Sequence, residues 1–134
     1  EMAERMQVLA GFSVCIGLFA FTPVRGTPLQ QRASPPLAQY RRMQVARWLI
    51  VNGFAHAEGF AYAGEDGRLR HYGMSPVRLR SLLAGGGAFR TSGCPGCNRP
   101  YYNERPGGVM YNYPRALRPE EVCEEVEALI GGLS

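Results

Sequence analysis

The sequence predicts an α/β protein in which helices alternate with the strands of a parallel sheet. Apolar residues recur at helical spacing in several segments, and short apolar runs of strand length lie between those segments. This alternation is typical of strand–helix units, whose strands pair in parallel. The chain has 134 residues, 46% of them hydrophobic, which is enough for one globular domain with its own core.

The N-terminal half contains two predicted helices with a strand and a loop between them. Met2–Ala10 places its apolar residues on one helical stripe, and Gly11 follows as a stop signal. Phe12–Phe21 is an almost continuous apolar run, which is typical of a strand covered on both faces. Prolines and glycines predict a loop over Thr22–Pro36, and Leu37–Asn52 then returns to helical spacing.

The middle of the chain predicts a second strand, a hairpin turn and a third helix. Phe54–Tyr62 is the strand candidate, and Gly64–Tyr72 combines an Asp-Gly turn with a short return. Ser75 followed by proline has the form of an N-cap, which predicts that a helix over Val77–Ala84 begins there.

A short third strand and a final helix complete the pattern. Ala88–Ser92 is the predicted strand, and it leads directly into a stretch that contains two cysteines. Arg118–Gly131 is the predicted helix, and acidic residues in its first turn suit the helix dipole. Its docking stripe consists of Val122, Val126 and Leu129.

The cysteine stretch, Arg90–Pro106 (RTSGCPGCNRPYYNERP), concentrates thiols, charges and aromatic rings more densely than a core requires. Cys94 and Cys97 form a C-x-x-C pair, and the Pro-Gly between them favours a tight turn that aims both sulfurs at one point. A metal ion or an iron–sulfur cluster is the natural occupant of that point, although a closed site needs three or four ligands. Structural zinc and unligated thiols are the alternatives.

The two unusual loops of the chain are expected to open on the same face. In folds built from strand–helix units, ligands bind at the carboxyl ends of the strands. The proline-rich loop Thr22–Leu29 and the cysteine stretch both follow predicted strands at that end. A metal centre and a substrate are therefore expected to meet there.

Other chemically active residues have simpler interpretations. Cys15 in the first strand is expected to act as a small core residue, and Cys123 on the final helix to be incidental. His56 and His71 are isolated in the sequence, so we expect a structural or surface role for each. Glu58 is expected to form an ion pair, or to contact a ribose or a substrate amine.

Charge and hydropathy argue against several classes of partner. The formal charge is +4, and all 15 basic residues are arginines spread along the chain, so no nucleic-acid surface is predicted. The longest apolar run is far shorter than the roughly 20 residues of a membrane span, so no membrane partner is expected. Four cysteines without a recognisable signal peptide favour the cytoplasm. Because the chain starts at Glu1 without an initiator methionine, we expect a fragment or a processed piece.

Two motifs resemble parts of a known enzyme family. Leu18–Leu29 (LFAFTPVRGTPL) and Pro35–Ile50 (PPLAQYRRMQVARWLI) resemble the sixth strand, following loop and helix of radical S-adenosylmethionine enzymes related to biotin synthase. The cysteine stretch resembles the C-terminal part of that branch, nearest the two-component lipoyl synthases. The resemblance implies that residues 1–92 are the last strand–helix units of an incomplete TIM-like barrel with parallel strands. Residues 93–134 would then form an irregular cysteine-containing extension that ends in a helix.

The resemblance also implies an activity for the full-length enzyme. Such an enzyme binds S-adenosylmethionine on a 4Fe–4S cluster and, as a sulfurtransferase-type catalyst, inserts sulfur into an unactivated C–H bond of an octanoyl-type chain. Cys94 and Cys97 would help to hold an auxiliary iron–sulfur cluster. The substrate and adenosine side would be lined by Phe19, Phe21 and Thr22. The surroundings of the auxiliary cluster would be Arg90, Ser92, Arg99 and Tyr101.

Departures from the family pattern limit what this chain does alone. The C-x-x-x-C-x-x-C motif of the radical-generating cluster does not occur in it, so the chain is expected to be inactive without the missing N-terminal barrel portion. A partner radical S-adenosylmethionine protein and an octanoylated carrier protein are further expected partners. Phe19 falls where biotin synthase presents an asparagine, and Phe54–Tyr62 lacks the arginine of its seventh strand. Biotin-type chemistry is therefore the less favoured alternative, beside a structural zinc, iron–sulfur or interaction module without catalysis.

Overall fold

The fold is mainly helical over the residues that the computed structural model describes, which are 1–97, 99 and 106–133. The helices are α1 (Met2–Gly11), α2 (Leu37–Val51), α3 (Pro76–Leu83) and α4 (Pro119–Leu133). The strands β1 (Ala61–Tyr62) and β2 (Leu69–His71) pair as an antiparallel hairpin, and short 3-10 turns cover Ala57–Gly59 and Gly87–Phe89. Within these described ranges no helix has the length and apolar character that crossing a bilayer requires.

The helix boundaries follow the local signals in the sequence. Ser75 caps α3, since its Oγ accepts a hydrogen bond from the Arg78 backbone N–H at 3.3 Å. Gly53 ends α2 with a φ of +71°, and the Phe54 N–H then reaches back to the Leu49 carbonyl at 2.9 Å. The four predicted helices are confirmed to within two residues at their ends.

The main core is organised around α2. Val45, Ala46 and Leu49 on this helix are completely buried. They pack in one cluster with residues of α1, α3 and α4 and with Phe89. The predicted docking stripe of α4 is confirmed, because Val122, Val126 and Leu129 are all buried in that cluster. Since α4 belongs to the proposed extension, the two predicted portions of the chain share a core.

The predicted Asp-Gly turn is confirmed, but the strand before it is shorter than predicted. Gly67 has a φ of +59°, and the Ala63 N–H donates to the Arg68 carbonyl at 2.7 Å, which closes the turn. The predicted strand Phe54–Tyr62 is paired only in its last two residues, because a 3-10 turn occupies Ala57–Gly59.

The apolar run Phe12–Phe21 differs most from its prediction. From residue 14 onward it lies outside helices and strands, and within the described part of the chain it pairs with no strand. The alternation of buried and exposed side chains over residues 16–21 indicates an extended backbone. Ile16, Leu18 and Ala20 are buried, whereas Phe19 and Phe21 between them are exposed. The expectation of burial on both faces is wrong, since one face alone packs against α2 and Tyr111.

The predicted third strand, Ala88–Ser92, is instead a 3-10 turn followed by a single bridge. Its first half is a 3-10 turn, and Arg90 forms a single parallel bridge with Tyr113. The Tyr113 N–H donates to the Phe89 carbonyl at 2.9 Å, and the Thr91 N–H donates to the Tyr113 carbonyl at 3.0 Å. The short hairpin and this bridge neither show nor exclude part of a parallel barrel, so the barrel stays a prediction.

We expect Leu49→Ala to lower the free energy of unfolding by about 2–5 kcal/mol, because it leaves a cavity in a fully buried part of the core. Urea unfolding followed by circular dichroism measures the change. The matched control is Leu37→Ala on the same helix, where the side chain is 38% exposed and the loss should stay under about 1 kcal/mol. Equal losses would contradict the central position of α2.

Candidate functional site

An open cleft of about 550 Å³ lies between the extended segment 18–21, the loop before α2 and the start of α2. We call it the front cleft. Its lining is mostly apolar and includes Leu18, Phe19, Phe21, Leu29, Pro36 and Met43. A concave apolar surface of this size, with a few polar groups at its edge, is the usual form of a small-molecule site.

The two phenylalanines predicted at the substrate side both line this cleft. Phe19 is 46% exposed and Phe21 is 37% exposed, although each ring is large and apolar. Their exposure follows from the alternation of the extended segment, which turns Leu18 and Ala20 inward. Thr22 does not line the cleft, and its buried Oγ1 has no hydrogen-bond partner among the described residues.

A buried polar network supports the wall of the cleft from behind. We call the set Tyr40, Arg41, Gln44, Asn112 and Glu125 the polar network. The Tyr40 hydroxyl lies 2.9 Å from the Leu18 carbonyl and 3.0 Å from Asn112 Oδ1. Gln44 Nε2 donates to the same Asn112 oxygen at 3.0 Å, and Arg41 Nη1 donates to Gln44 Oε1 at 2.9 Å. Leu18 is thereby held by groups on α2 and on the segment before α4.

Arg41 is the most strongly bonded residue of the polar network. Its guanidinium forms a two-point ion pair with Glu125 of α4, with distances of 2.7 Å and 2.8 Å, and it also donates to the Tyr111 carbonyl. Arg41 is only 4% exposed, so its charge needs these partners. Tyr113 donates to Glu125 Oε1 at 3.0 Å, and burial together with this bond raises the pKa of Tyr113, which keeps the phenol protonated.

The orientation of Asn112 is set by its neighbours. Because Gln44 Oε1 accepts from Arg41, its Nε2 must donate, and Asn112 must present an oxygen to it. The Asn112 Nδ2 then lies buried, with no hydrogen-bond partner among the described residues. The sequence analysis did not predict this network. Arg41 and Gln44 lie three positions apart on the apolar face of α2, and this placement could have indicated a buried polar pair.

The C-x-x-C pair forms the tight turn that the sequence predicts. The Cys97 N–H donates to the Cys94 carbonyl at 3.1 Å, and Gly96 has a φ of +72°, as the third position of a type II turn requires. Cys94 is exposed, and Cys97 is partly buried. The turn offers two thiols, but among the described residues no group of three or more His, Cys, Asp or Glu side chains could hold a metal ion. It therefore fits half of a zinc or iron–sulfur ligand set.

The start of the cysteine turn is attached to the wall of the front cleft. The Leu18 N–H donates to Ser92 Oγ at 3.0 Å, and the Cys15 thiol contacts the Gly93 carbonyl. Gly17 lies against Gly93 at this point, because a Cβ added to Gly17 would be in van der Waals contact with the Gly93 Cα, at 3.7 Å. Cys15 was expected in the core, but it is exposed beside the cysteine turn, so that expectation is wrong.

The remaining predicted site residues have lesser roles in the described geometry. Arg90 is exposed and takes part through its backbone in the bridge to Tyr113. The Arg99 carbonyl accepts from Thr91 Oγ1 at 3.0 Å, and its side chain is exposed. Tyr101 lies outside the described residues. Among Arg90, Ser92 and Arg99, the members of this set that the structure describes, only Ser92 has a buried side chain and a described contact with the cleft wall.

Comparison of the chain with protein-family models, curated proteins and solved structures found no match. The site is therefore interpreted from its geometry and from the resemblance seen in the sequence.

The two histidines and Glu58 lie outside the cleft and the cysteine turn. His71 Nδ1 accepts a hydrogen bond from the Gly73 N–H at 2.9 Å, which fits the structural role expected for it. His56 and Glu58 line a separate open pocket with Arg78, near the start of α3. None of the three belongs to the lining of the front cleft.

We expect Glu125→Gln to destabilise the protein by about 3–5 kcal/mol, because it removes the charge that neutralises the buried Arg41. Thermal or urea unfolding measures the loss. The matched control is Glu127→Gln on the same helix, where Glu127 and its partner Arg80 are both about half exposed and a much smaller change is expected. Similar losses for both variants would show that the polar network is not a special constraint.

Proposed function

We propose that this chain contributes the substrate side of a radical S-adenosylmethionine iron–sulfur enzyme of the biotin-synthase-related branch, nearest the two-component lipoyl synthases. The reaction proposed for the complete enzyme is insertion of sulfur into an unactivated C–H bond of an octanoyl-type chain. The observation that carries the proposal is the Leu18–Ser92 hydrogen bond, which joins the wall of an apolar cleft to the start of a two-thiol turn.

The front cleft suits an aliphatic chain better than a polar ring. Its volume of about 550 Å³ lies inside the usual range of roughly 300–1,000 Å³ for ligand sites. Phe19 and Phe21 present aromatic area that an alkyl chain would cover, and covering it removes apolar surface from water. Their part in the proposed mechanism is to orient the chain and to exclude water from it.

Cys94 and Cys97 are the proposed ligands of an auxiliary iron–sulfur cluster. Thiolates are the usual ligands of such clusters, and the tight turn keeps the two cysteines close together. When bound, the cluster supplies the sulfur that the substrate carbon acquires. Further ligands would come from residues beyond those that the structure describes or from another polypeptide. Ser92 is proposed as a positioning residue, because it fixes the start of the turn against Leu18.

The proposal includes partners and a compartment. The C-x-x-x-C-x-x-C motif is missing from this sequence, so the missing barrel portion or a partner radical enzyme would bind S-adenosylmethionine and generate the radical. An octanoylated carrier protein would present the chain to the cleft. The number and exposure of the cysteines fit a reducing compartment such as the cytoplasm.

A structural zinc module is the second candidate function. The same turn geometry favours it, because a C-x-x-C turn with a central glycine at positive φ also suits a zinc ligand pair. In that case the front cleft would have no part in chemistry. The two candidates differ in the metal that the thiols hold.

We expect the complete protein, isolated without oxygen, to contain iron and sulfide and to absorb visible light. Cys94→Ser and Cys97→Ser should each lower the bound iron, because each removes one thiolate from a small ligand set. Metal analysis and absorption spectra measure the change, and Cys123→Ser on α4 is the matched control. A colourless protein with stoichiometric zinc that both variants lose would favour the zinc module instead.

We expect octanamide to bind the chain, and Phe19→Ala to weaken that binding about tenfold or more, as loss of a buried aromatic contact implies. Isothermal titration calorimetry gives the dissociation constants. The matched control is Phe12→Ala, since Phe12 is 72% exposed and does not line the front cleft. Absence of binding, or equal effects of the two substitutions, would contradict the assignment of the cleft.

A further inference from the structure

Cys15 lies beside the cysteine turn rather than in the core. Its Sγ contacts the carbonyl oxygen of Gly93 at 2.5 Å, and Gly93 is joined to Cys94 by a peptide bond. A carbonyl oxygen and the next Cα are about 3 Å apart in a trans peptide, which places the Cys94 Cα within about 6 Å of the Cys15 sulfur. Two thiols 79 positions apart in the chain are thus neighbours in the fold.

The approach of the two segments is built into the backbone. Gly17 and Gly93 face each other without side chains, and a Cβ on Gly93 would lie 3.4 Å from the Gly17 Cα. Gly93 also has a φ of +109°, a conformation that residues with side chains rarely adopt. The Leu18–Ser92 hydrogen bond fixes the register next to this contact. The backbone segments that carry Cys15 and Cys94 are therefore held beside each other.

A positive charge lies on the same side of the segment. Arg47 Nε donates to the Ile16 carbonyl at 2.6 Å, which places its guanidinium beside the residue that follows Cys15. Burial lowers the pKa of Arg47, and the charge of a Cys15 thiolate opposes that effect, so the two groups are close enough to interact.

We propose that Cys15 and Cys94 form a reversible disulfide when the metal-free protein meets a low-molecular-weight disulfide such as oxidised glutathione. The thiolate of one cysteine first attacks the oxidised glutathione, forming a mixed disulfide and releasing one glutathione thiolate. The other cysteine then attacks the protein sulfur of that mixed disulfide and releases the second glutathione. Two protein thiols are oxidised, one glutathione disulfide is reduced to two thiols, and the two protons pass to the released thiolates.

Cys94 rather than Cys97 is the partner that the geometry selects. Cys94 directly follows Gly93 and is exposed, whereas Cys97 lies three residues further on and is partly buried. A disulfide needs Cα atoms about 4.4–6.8 Å apart, and a Cys15 sulfur within about 6 Å of the Cys94 Cα is compatible with that requirement. The bond would fasten the cysteine turn to the cleft wall. The inference does not depend on the proposed function, because it concerns the thiols without metal.

The test uses the whole chain, freed of metal with a chelator and exposed to oxidised glutathione. Proteolysis without reduction, followed by mass spectrometry, identifies the linked peptides. The expected product joins Cys15 to Cys94 and disappears on treatment with dithiothreitol. It should form at least about tenfold faster than any product that contains Cys123, because neighbouring thiols have a high effective concentration.

Four serine variants make the assignment specific. Cys15→Ser and Cys94→Ser should abolish the link, whereas Cys97→Ser and Cys123→Ser should keep it. Circular dichroism of each variant checks that the helices are retained. If a variant does not fold, the linked peptide from the unmodified chain still tests the proposal. A Cys94–Cys97 link as the main product, or glutathione left on Cys15 without closure, would overturn the proposal.

Discussion

The buried ion pair between Arg41 and Glu125 is the constraint on which the other contacts depend. A guanidinium that is only 4% exposed is tolerated because a carboxylate and backbone carbonyls neutralise and bind it. Those partners come from α4 and from the segment around Tyr111, which are about 70 to 84 positions away in the chain. One arginine on α2 thereby fixes the positions of two distant segments, and it does so with directional bonds that apolar packing lacks.

The candidate site lies at the end of a continuous path of contacts from this pair. Arg41 orients Gln44, and Gln44 in turn orients Asn112. Asn112 is hydrogen-bonded to Tyr40, whose hydroxyl also lies within hydrogen-bond distance of the Leu18 carbonyl. Each amide along this path has its donor and acceptor ends determined by the previous residue. The cleft wall is therefore positioned by buried polar bonds, and the cysteine turn is attached to that wall through Ser92.

Two exposed aromatic rings distinguish the front cleft from the rest of the extended segment. Phe19 and Phe21 expose large rings to water, which is unfavourable. A ligand or polypeptide that covered these rings would lower the free energy. The neighbouring turn presents two thiols, and the Cys15 thiol contacts the backbone just before that turn. An exposed apolar surface and a two-thiol turn are thus joined through the Leu18–Ser92 hydrogen bond, which is the arrangement on which the proposed function rests.

Local signals in the sequence determined the parts of this protein that depend on neighbouring residues alone. The four helices, the Ser75 cap, the Asp-Gly hairpin turn, the C-x-x-C turn and the buried stripe of α4 all follow from spacing and backbone preference. Only the tertiary structure decided that the Phe12–Phe21 run has one buried face, that the α2 residues Arg41 and Gln44 lie inside, and that Cys15 meets Gly93. Each of these three features depends on contact with a segment that is distant in the chain. The composition of a segment does not show which distant segment it will contact. Phe19 and Phe21, which the family resemblance assigned to the substrate side, line the cleft, and their role toward a substrate stays a prediction. The polar bonds that position the cleft wall were not predicted.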